Sequence, residues 1–214
     1  MKGLLLGILL IIVVGIGGFV YRNAAEHPYQ PIACPLDAEL CPDGTSVSRK
    51  GLSCTFPECP PPNVSLPGAK MSFAVPEGFA AAALPDAAGV AAYQDTGVSS
   101  TSVANIVLRR YGLAASSTSS DVIRQTAVSA ASGAPVDVTA FSSREIGGRR
   151  YTVVSIERFE GVIDTAYYFS RDADVLRFDA IDSGVSNWTD ARLDTATLPA
   201  HAALLKLLAT LQVL

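Results

Sequence analysis

Outside one short stretch the 214-residue chain has no cysteine, and it holds only two histidines. Each scarcity excludes something. Nucleophilic catalysis needs a base beside the nucleophile, and the histidines offer little. His27 stands next to Pro28, while His201 lies on the border of an apolar helical stripe, where a half-buried structural histidine is the usual finding. No G-x-S-x-G elbow occurs, so a hydrolase of that design is excluded. Charged residues make up 17% of the chain, and no block of Lys or Arg is present to follow a phosphate backbone. Nucleic acid is thereby removed from the partners. With Lys+Arg 16 against Asp+Glu 20, the net charge of -4 describes a merely soluble surface. Asp172, Asp174, Asp179 and Asp182 lack the glycine and the glutamate that an EF-hand loop requires at fixed offsets, and read as solvated acids at hairpin ends. No metal or cofactor is expected, and the chain reads as a non-enzyme.

What the chain has in abundance is apolar residues, 49% of the total, and the first twenty positions explain much of that. Leu4 to Val20 carry no charge, and only glycines interrupt the aliphatic run. A helix of about 18 residues spans roughly 27 Å, close to the hydrocarbon thickness of a bilayer. Residues 1–22 therefore read as a transmembrane signal anchor, touching lipid through residues 3–20. Lys2 and the initiating amine favour a cytoplasmic N-terminus, with residues 23–214 extracytoplasmic. The competing reading is a cleaved signal peptide, for which Gly15 with Gly17, or the stretch ending at Ala25, supplies small residues. Either way the rest of the chain leaves the cytoplasm.

The four cysteines follow in the spacing Cys34-x6-Cys41-x12-Cys54-x4-Cys59. In an exported segment they read first as two disulfides, which persist on the oxidising side of a membrane. Residues 27–62 hold too few large apolar groups for a core, so a covalent staple meets a physical need. Zinc is the rival reading, weakened by the absence of a C-x2-C knuckle. Spacing alone leaves three pairings open.

The stretch Cys41-Pro42-Asp43-Gly44-Thr45, followed by Cys54 and Cys59, resembles the central part of a Kazal-type inhibitor. It is also similar to a four-cysteine module that recurs beside membrane anchors in uncharacterised bacterial proteins, matched further at Val47, Arg49, Gly51, Phe56 and Pro60. The Kazal resemblance implies that Cys34 pairs with Cys54 and Cys41 with Cys59. It also implies that Leu36 would be the residue a serine protease recognises. One cysteine pair of the inhibitors is missing here, as are the tyrosine after the threonine and the asparagine before the next cysteine. The stapled spacer or protein-binding knob at 34–60 is therefore preferred over the inhibitor.

Residues 23–33 form a juxtamembrane segment, and the run from Pro60 to Gly68 places a proline-rich linker at 61–69. Three consecutive prolines favour an extended spacer that decouples the modules, so neither disulfide is expected to support the distal domain. From residue 70 to 214 the pattern is α+β. Short strands are expected near Met71 to Phe79, Val90 to Gln94 and Ile106 to Tyr111. A helix is expected from Asp121 to Ser132, capped by Thr118. Four antiparallel strands then follow over 136–145, 149–160, 162–170 and 175–182, with turns at Gly147-Gly148 and Glu160-Gly161. In the last strand Leu176, Phe178 and Ala180 alternate with Arg177 and Asp179, which predicts one buried face and one wet face. A closing helix presents Leu204, Leu207, Leu208 and Leu211 to the sheet. If a ligand surface exists, the aromatic part of this meander (Tyr151, Phe159, Tyr167, Tyr168, Phe169) is where it is expected.

This order of elements, with Phe73, Pro76, Gly78 and Phe79 matching an F-x-x-P-x-G-F opening, resembles the PsbP-like fold. The resemblance implies an antiparallel sheet flanked by two helices and a role in binding or assembly, with a protein or cell-envelope component as partner.

Overall fold

The computed structural model describes residues 2–26, 33–42, 45–97 and 105–213, with side chains described within the first segment at residue 7 and 11–22. The chain divides into two compact units, Met1–Asp37 with Ser48–Phe56, and Ala38–Val47 with Pro57–Leu214.

The first unit contains helix α1 (Lys2–Glu26, 25 residues). Its described side chains from Ile11 to Arg22 are exposed, among them Ile11 at 73% and Phe19 at 73%. Among the described residues no helix is long and apolar enough to cross a membrane. The expected span therefore finds no support in the fold, and its residues 3–6 and 8–10 have side chains outside the described set. His27 also lies outside the described residues. In the described remainder of the unit, residues 33–37 and 48–56, the Cys34–Cys54 disulfide joins the two segments. An isolated bridge between Lys50 and Thr55 adds to it.

The second unit opens with strand β1 (Ala38–Leu40), which pairs with β2 (Ser46–Ser48), a strand that lies in this unit up to Val47. It then continues without a break through the expected linker. Residues 64–66 form β3 (Val64–Leu66), which pairs antiparallel with β4 (Met71–Phe73), and Pro67–Ala69 make a 3-10 turn between them. Asn63 Oδ1 accepts a hydrogen bond from Val75 N at 2.9 Å. A proline run signals an extended chain, but extended chain is also what a short strand needs, and the partner strand lies close ahead. The linker expected at 61–69 is thus folded into the second unit from residue 64 onward.

A seven-stranded antiparallel sheet follows, made of β5 (Phe79–Ala81), β6 (Gly89–Asp95), β7 (Ile106–Gly112), β8 (Ser142–Ile146), β9 (Arg149–Phe159), β10 (Val162–Ser170) and β11 (Asp174–Asp182). The spatial order is β5-β6-β7-β11-β10-β9-β8. Two meanders therefore meet at the β7–β11 pair, and the chain crosses from one to the other through helix α2 (Ser119–Thr126). Gly147 and Gly148 have φ of 56° and 73°, and Glu160 and Gly161 have 48° and 78°. Both central residues of each turn are left-handed, which is what a two-residue hairpin demands. At Gly147 the need is doubled, because a Cβ there would stand 2.9 Å from the Ala209 carbonyl oxygen. Helix α2 starts with a reciprocal capping box between Thr118 and Asp121 and ends at Thr126, short of the expected Ser132. Beyond it the chain turns back, and Val128 bridges to Pro135. The strand expected at 136–145 begins only at Ser142, after a 3-10 turn at Val138–Ala140 that Asp137 caps.

Helix α3 (Pro199–Thr210) covers one face of the sheet, and β12 (Gln212–Val213) returns to pair with β4. The core on this side joins Leu204, Leu207, Leu208 and Leu211 to Phe73, Leu108, Tyr151, Tyr167 and Phe178. On the other face α2 contributes Val122, Ile123 and Ala127 against Val154, Ile156, Ala166 and Tyr168.

The face expected to be wet is closed. Arg177 is 7% exposed and Asp179 0%. Asp174 and Asp182, expected as solvated acids, are buried as well, while Asp172 is exposed. The physical reason is mutual pairing. Asp179 accepts from Arg177 Nε at 2.6 Å and from Arg109, and Asp174 accepts from Arg110 Nε and Arg171 Nε, both at 2.5 Å. Buried charges persist when paired and hydrogen-bonded.

The second disulfide joins Cys41 to Cys59 within the second unit, and Cys41 is 3% exposed. A groove of about 400 Å³ in this unit is lined by Pro42, Cys59 to Pro62 and the segment from Ala209 to Gln212, where α3 ends and β12 begins. The distal unit therefore does include one of the staples, against the expectation that the prolines decouple it from both. A cross-link closing a loop of this size contributes about 3 kcal/mol in the chain-entropy account. Cys41→Ser with Cys59→Ser should lower the urea midpoint of the sheet signal, and Cys34→Ser with Cys54→Ser should leave it in place. Equal midpoints for the two double variants would overturn this division.

Candidate functional site

A concavity of the second unit lies over β8, β9 and β10 on the face that carries α3. Its volume is about 440 Å³. Strand pleating explains the lining. Ser142 and Arg144 on β8, Val153 and Ser155 on β9, and Thr165 and Tyr167 on β10 all point to the α3 side, as the register Ser142↔Val153↔Tyr167 and Ser155↔Thr165 requires. A register shift between Asp164 and Thr165 re-aims the end of β9, so that Arg158 joins the same face. The segment from Leu193 to Ala196, just before α3, closes the opposite wall.

At the floor, the Tyr167 hydroxyl lies 2.6 Å from His201 Nε2, and their rings meet edge to face. Arg144 Nη1 reaches the same hydroxyl at 3.4 Å. A guanidinium donating to the Tyr167 oxygen leaves the hydroxyl proton for Nε2, which places the imidazole proton on Nδ1. That nitrogen is buried without a hydrogen-bond partner in good geometry, although the Thr195 backbone is near enough to favour the charged ring slightly. Burial, with Arg144 adding repulsion, pulls the His201 imidazole down to about 4. Burial also raises the Tyr167 phenol. Both groups are neutral near pH 7.

His201 is placed by β11. Helix α3 begins at Pro199 behind Leu198, which offers no side-chain cap. Asp182 at the end of β11 supplies it from a distance, accepting from Ala200 N at 2.7 Å and His201 N at 3.2 Å. Burial raises the Asp182 carboxyl, and these two bonds oppose the rise.

The arginines of the sheet fall into two groups. Arg109, Arg110, Arg171 and Arg177 each meet an aspartate. Arg144 and Arg158 of the cavity meet none among the described residues, and neither do Arg149 and Arg150 at the start of β9. Arg158 donates instead to the backbone carbonyls of Trp188, at 2.5 Å, and Asp190. The one carboxylate of the wall, Asp194, is turned to its own backbone and accepts from Ala196 N at 3.0 Å.

Of the residues singled out in the sequence, the meander aromatics separate. Tyr167 reaches the cavity, Tyr151 and Tyr168 are core, and Phe159 is exposed beside Trp188. His201, expected half-buried and structural, is 4% exposed and belongs to the site. Arg144, Arg158, Ser155 and Thr165 drew no attention in the sequence. The alternation of Ser142 with Arg144 was the available signal, and it reads equally as solvated strand edge.

In the first unit Leu36 is fully exposed at 106%. The neighbouring Asp37 accepts from Arg49 Nε at 2.8 and 2.9 Å. Arg49 in turn donates to the Cys54 carbonyl at 3.0 Å and stacks on Phe56 at 4.1 Å. Among the described residues no group of His, Cys, Asp and Glu is arranged to hold a metal ion.

The neutral imidazole of His201 makes stability depend on acid. The unfolded chain takes up its proton near pH 6.5 and the folded one only near pH 4. The contribution is therefore complete above pH 6.5 and is lost as pH falls toward 4, amounting to roughly 2 kcal/mol by pH 5. Urea midpoints of the parent and His201→Gln, which keeps a group able to bond Tyr167 but cannot titrate, should diverge between pH 7 and pH 5, with the parent falling more steeply. Parallel curves would show that the ring is protonated at no cost.

No protein-family model matches the chain, and no curated protein does. It is similar in structure to cyanobacterial PsbP (CyanoP) from Synechocystis sp. PCC 6803, in a solution structure. The identity is 14% and the TM-score 0.44, over 69% of this chain and 88% of that one. A likeness of that size identifies neither a family nor a site.

Proposed function

We propose that the protein is a membrane-tethered, non-catalytic binding protein of an extracytoplasmic compartment. Residues 3–20 enter the bilayer with the N-terminus cytoplasmic, residues 23–214 lie outside, and the second unit engages a protein or another component of the cell envelope. The observation that carries this reading is the cavity over β8–β10, where arginines without carboxylate partners and a buried His–Tyr pair face a solvent-connected space. Two further observations support the location. Both cysteine pairs are disulfides, which an oxidising compartment preserves. The α1 surface from Ile11 to Val20 is apolar and exposed all round, a state that water does not favour and lipid does. A photo-crosslinker at Ser143, beside the cavity, should capture a reproducible partner in intact cells, identified by mass spectrometry. Self-links alone would count against the reading.

The geometry around Leu36 favours a second reading, a surface-tethered Kazal-like serine protease inhibitor with Leu36 as the recognised residue. A fully exposed leucine follows a disulfide-bonded cysteine, and the next residue is braced by Arg49. An exposed ion pair of this kind contributes under about 1 kcal/mol to stability. Its value here is to hold one loop geometry, which lowers the ordering cost of binding. The oxidised full chain, titrated against chymotrypsin and subtilisin, should inhibit in a way that Leu36→Ala removes. Absence of inhibition at high micromolar concentration, or rapid cleavage after Leu36, sinks this second function.

A further inference from the structure

We infer that the cavity over β8–β10 is an oxyanion site, taking a carboxylate or phosphate group between Arg144 and Arg158 with the Tyr167–His201 pair beneath it. The inference rests on the binding role proposed above and names the chemistry of what is bound. Three independent features lead to it. The first is charge: two guanidiniums face one space against one carboxylate, Asp194, which accepts a backbone N–H, and Arg158 donates through Nε and one Nη to the Trp188 and Asp190 carbonyls. Elsewhere in the unit the buried carboxylates Asp174 and Asp179 are each held by two arginines. A planar, five-donor guanidinium is suited to bidentate contact with a carboxylate or phosphate, and Arg144 has donors left after its one long bond to Tyr167.

The second feature is the surrounding donor set. Ser155 and Thr165 bring hydroxyls to the same space, and Thr165 is itself buried, while the Ser142 hydroxyl donates to the Val153 carbonyl at 3.3 Å. Such groups turn their protons toward an acceptor at little cost, and so complete the shell of an oxyanion whose charge the arginines meet. The third is the fixed floor of the space, where His201 Nε2 and the Tyr167 hydroxyl are buried against each other. A site in which the ring is fixed by Tyr167, and its helix by Asp182, keeps that orientation for use.

The same side chains would accept either source of oxyanion, so the experiment separates them. The full chain in detergent micelles, labelled at tyrosine and histidine, is titrated at constant ionic strength with inorganic phosphate, with succinate, with sodium chloride and with glucose. Saturable shifts of Tyr167 and His201 with phosphate or succinate are expected, and whichever binds more tightly names the source. Arg144→Gln should weaken that binding at least about ten-fold, as loss of one charge-assisted bond does, while Arg144→Lys restores part of it. Arg144 sits on an exposed edge strand, so the variant is expected to keep the parent's melting temperature without ligand, which the same samples report. Shifts that chloride reproduces, or that Arg144→Gln leaves unchanged, overturn the oxyanion site. Saturable binding of glucose alone overturns it too, yet leaves the cavity as a binding site. If none of the four perturbs the cavity and the photo-crosslinker at Ser143 captures nothing, both readings fall.

Discussion

Asp179 is the group on which the second unit depends. The sheet consists of two meanders joined only where β7 meets β11, and at that seam Arg109 stands directly across from Arg177. Two like charges opposed in a sheet repel. Asp179, two residues along β11 on the same face, accepts from both guanidiniums and turns the repulsion into a bridge between the meanders. Asp86 takes the remaining Nε of Arg109 at 2.7 Å, and the Thr126 carbonyl at the end of α2 accepts from Arg177. Asp164 lies 3.9 Å from Arg177 with one oxygen unpartnered. Burial, with Asp179 adding repulsion, pushes its carboxyl well above the usual range. Removing one member of such a set leaves an uncompensated buried charge, which costs far more than the set contributes in net terms. The chain of charges is therefore better understood as fixing which strands lie side by side than as a source of stability.

The same strand organises the opposite face. Leu176, Phe178 and Ala180 pack under α3, while Asp174 and Asp182 lie on that face at the two ends of β11. Asp174 gathers Arg110 and Arg171, each of which also donates to the backbone next to β4, at Gly68 and Ala69. Asp182 caps α3 and so sets where His201 falls. One nine-residue strand thus connects the two meanders, the segment before β4, and the cavity.

Much of this was legible in local pattern, and the failures share one cause. Strands at 149–159, 162–170 and 174–182, the glycine turns between them and the capping box of α2 are properties of a few neighbouring residues, and periodicity and turn chemistry report them. Alternation of Phe178 with Arg177 and Asp179 reports only that one face is polar. Whether a polar face meets water or its own counter-charges depends on register with Arg109, seventy residues away in the chain. The proline run was misleading for the same reason, since what Val64–Leu66 pairs with is a matter of tertiary context. The cavity required His201 to be set over Tyr167, a contact across 34 residues that no spacing rule contains.

The position of the cavity follows from the composition of α3. Its first half is small, with Ala200, Ala202 and Ala203 around His201, and its second half carries the leucines. Leucines fill the interval between helix and sheet over Phe73 and Leu108, where the strands are apolar too. Over β9 and β10 the interval beside His201 is open, and there the strands present Ser155 and Thr165. An empty interval against apolar strands would be a packing defect, with a cost that grows with its volume. Against hydroxyls and guanidiniums the same interval has polar partners for water, which removes most of that cost. The start of α3, with His201, and the polar residues of β9 and β10 thus meet at one place. Core packing needs neither, since the leucine half of α3 already closes the sheet; a polar space open to solvent needs both.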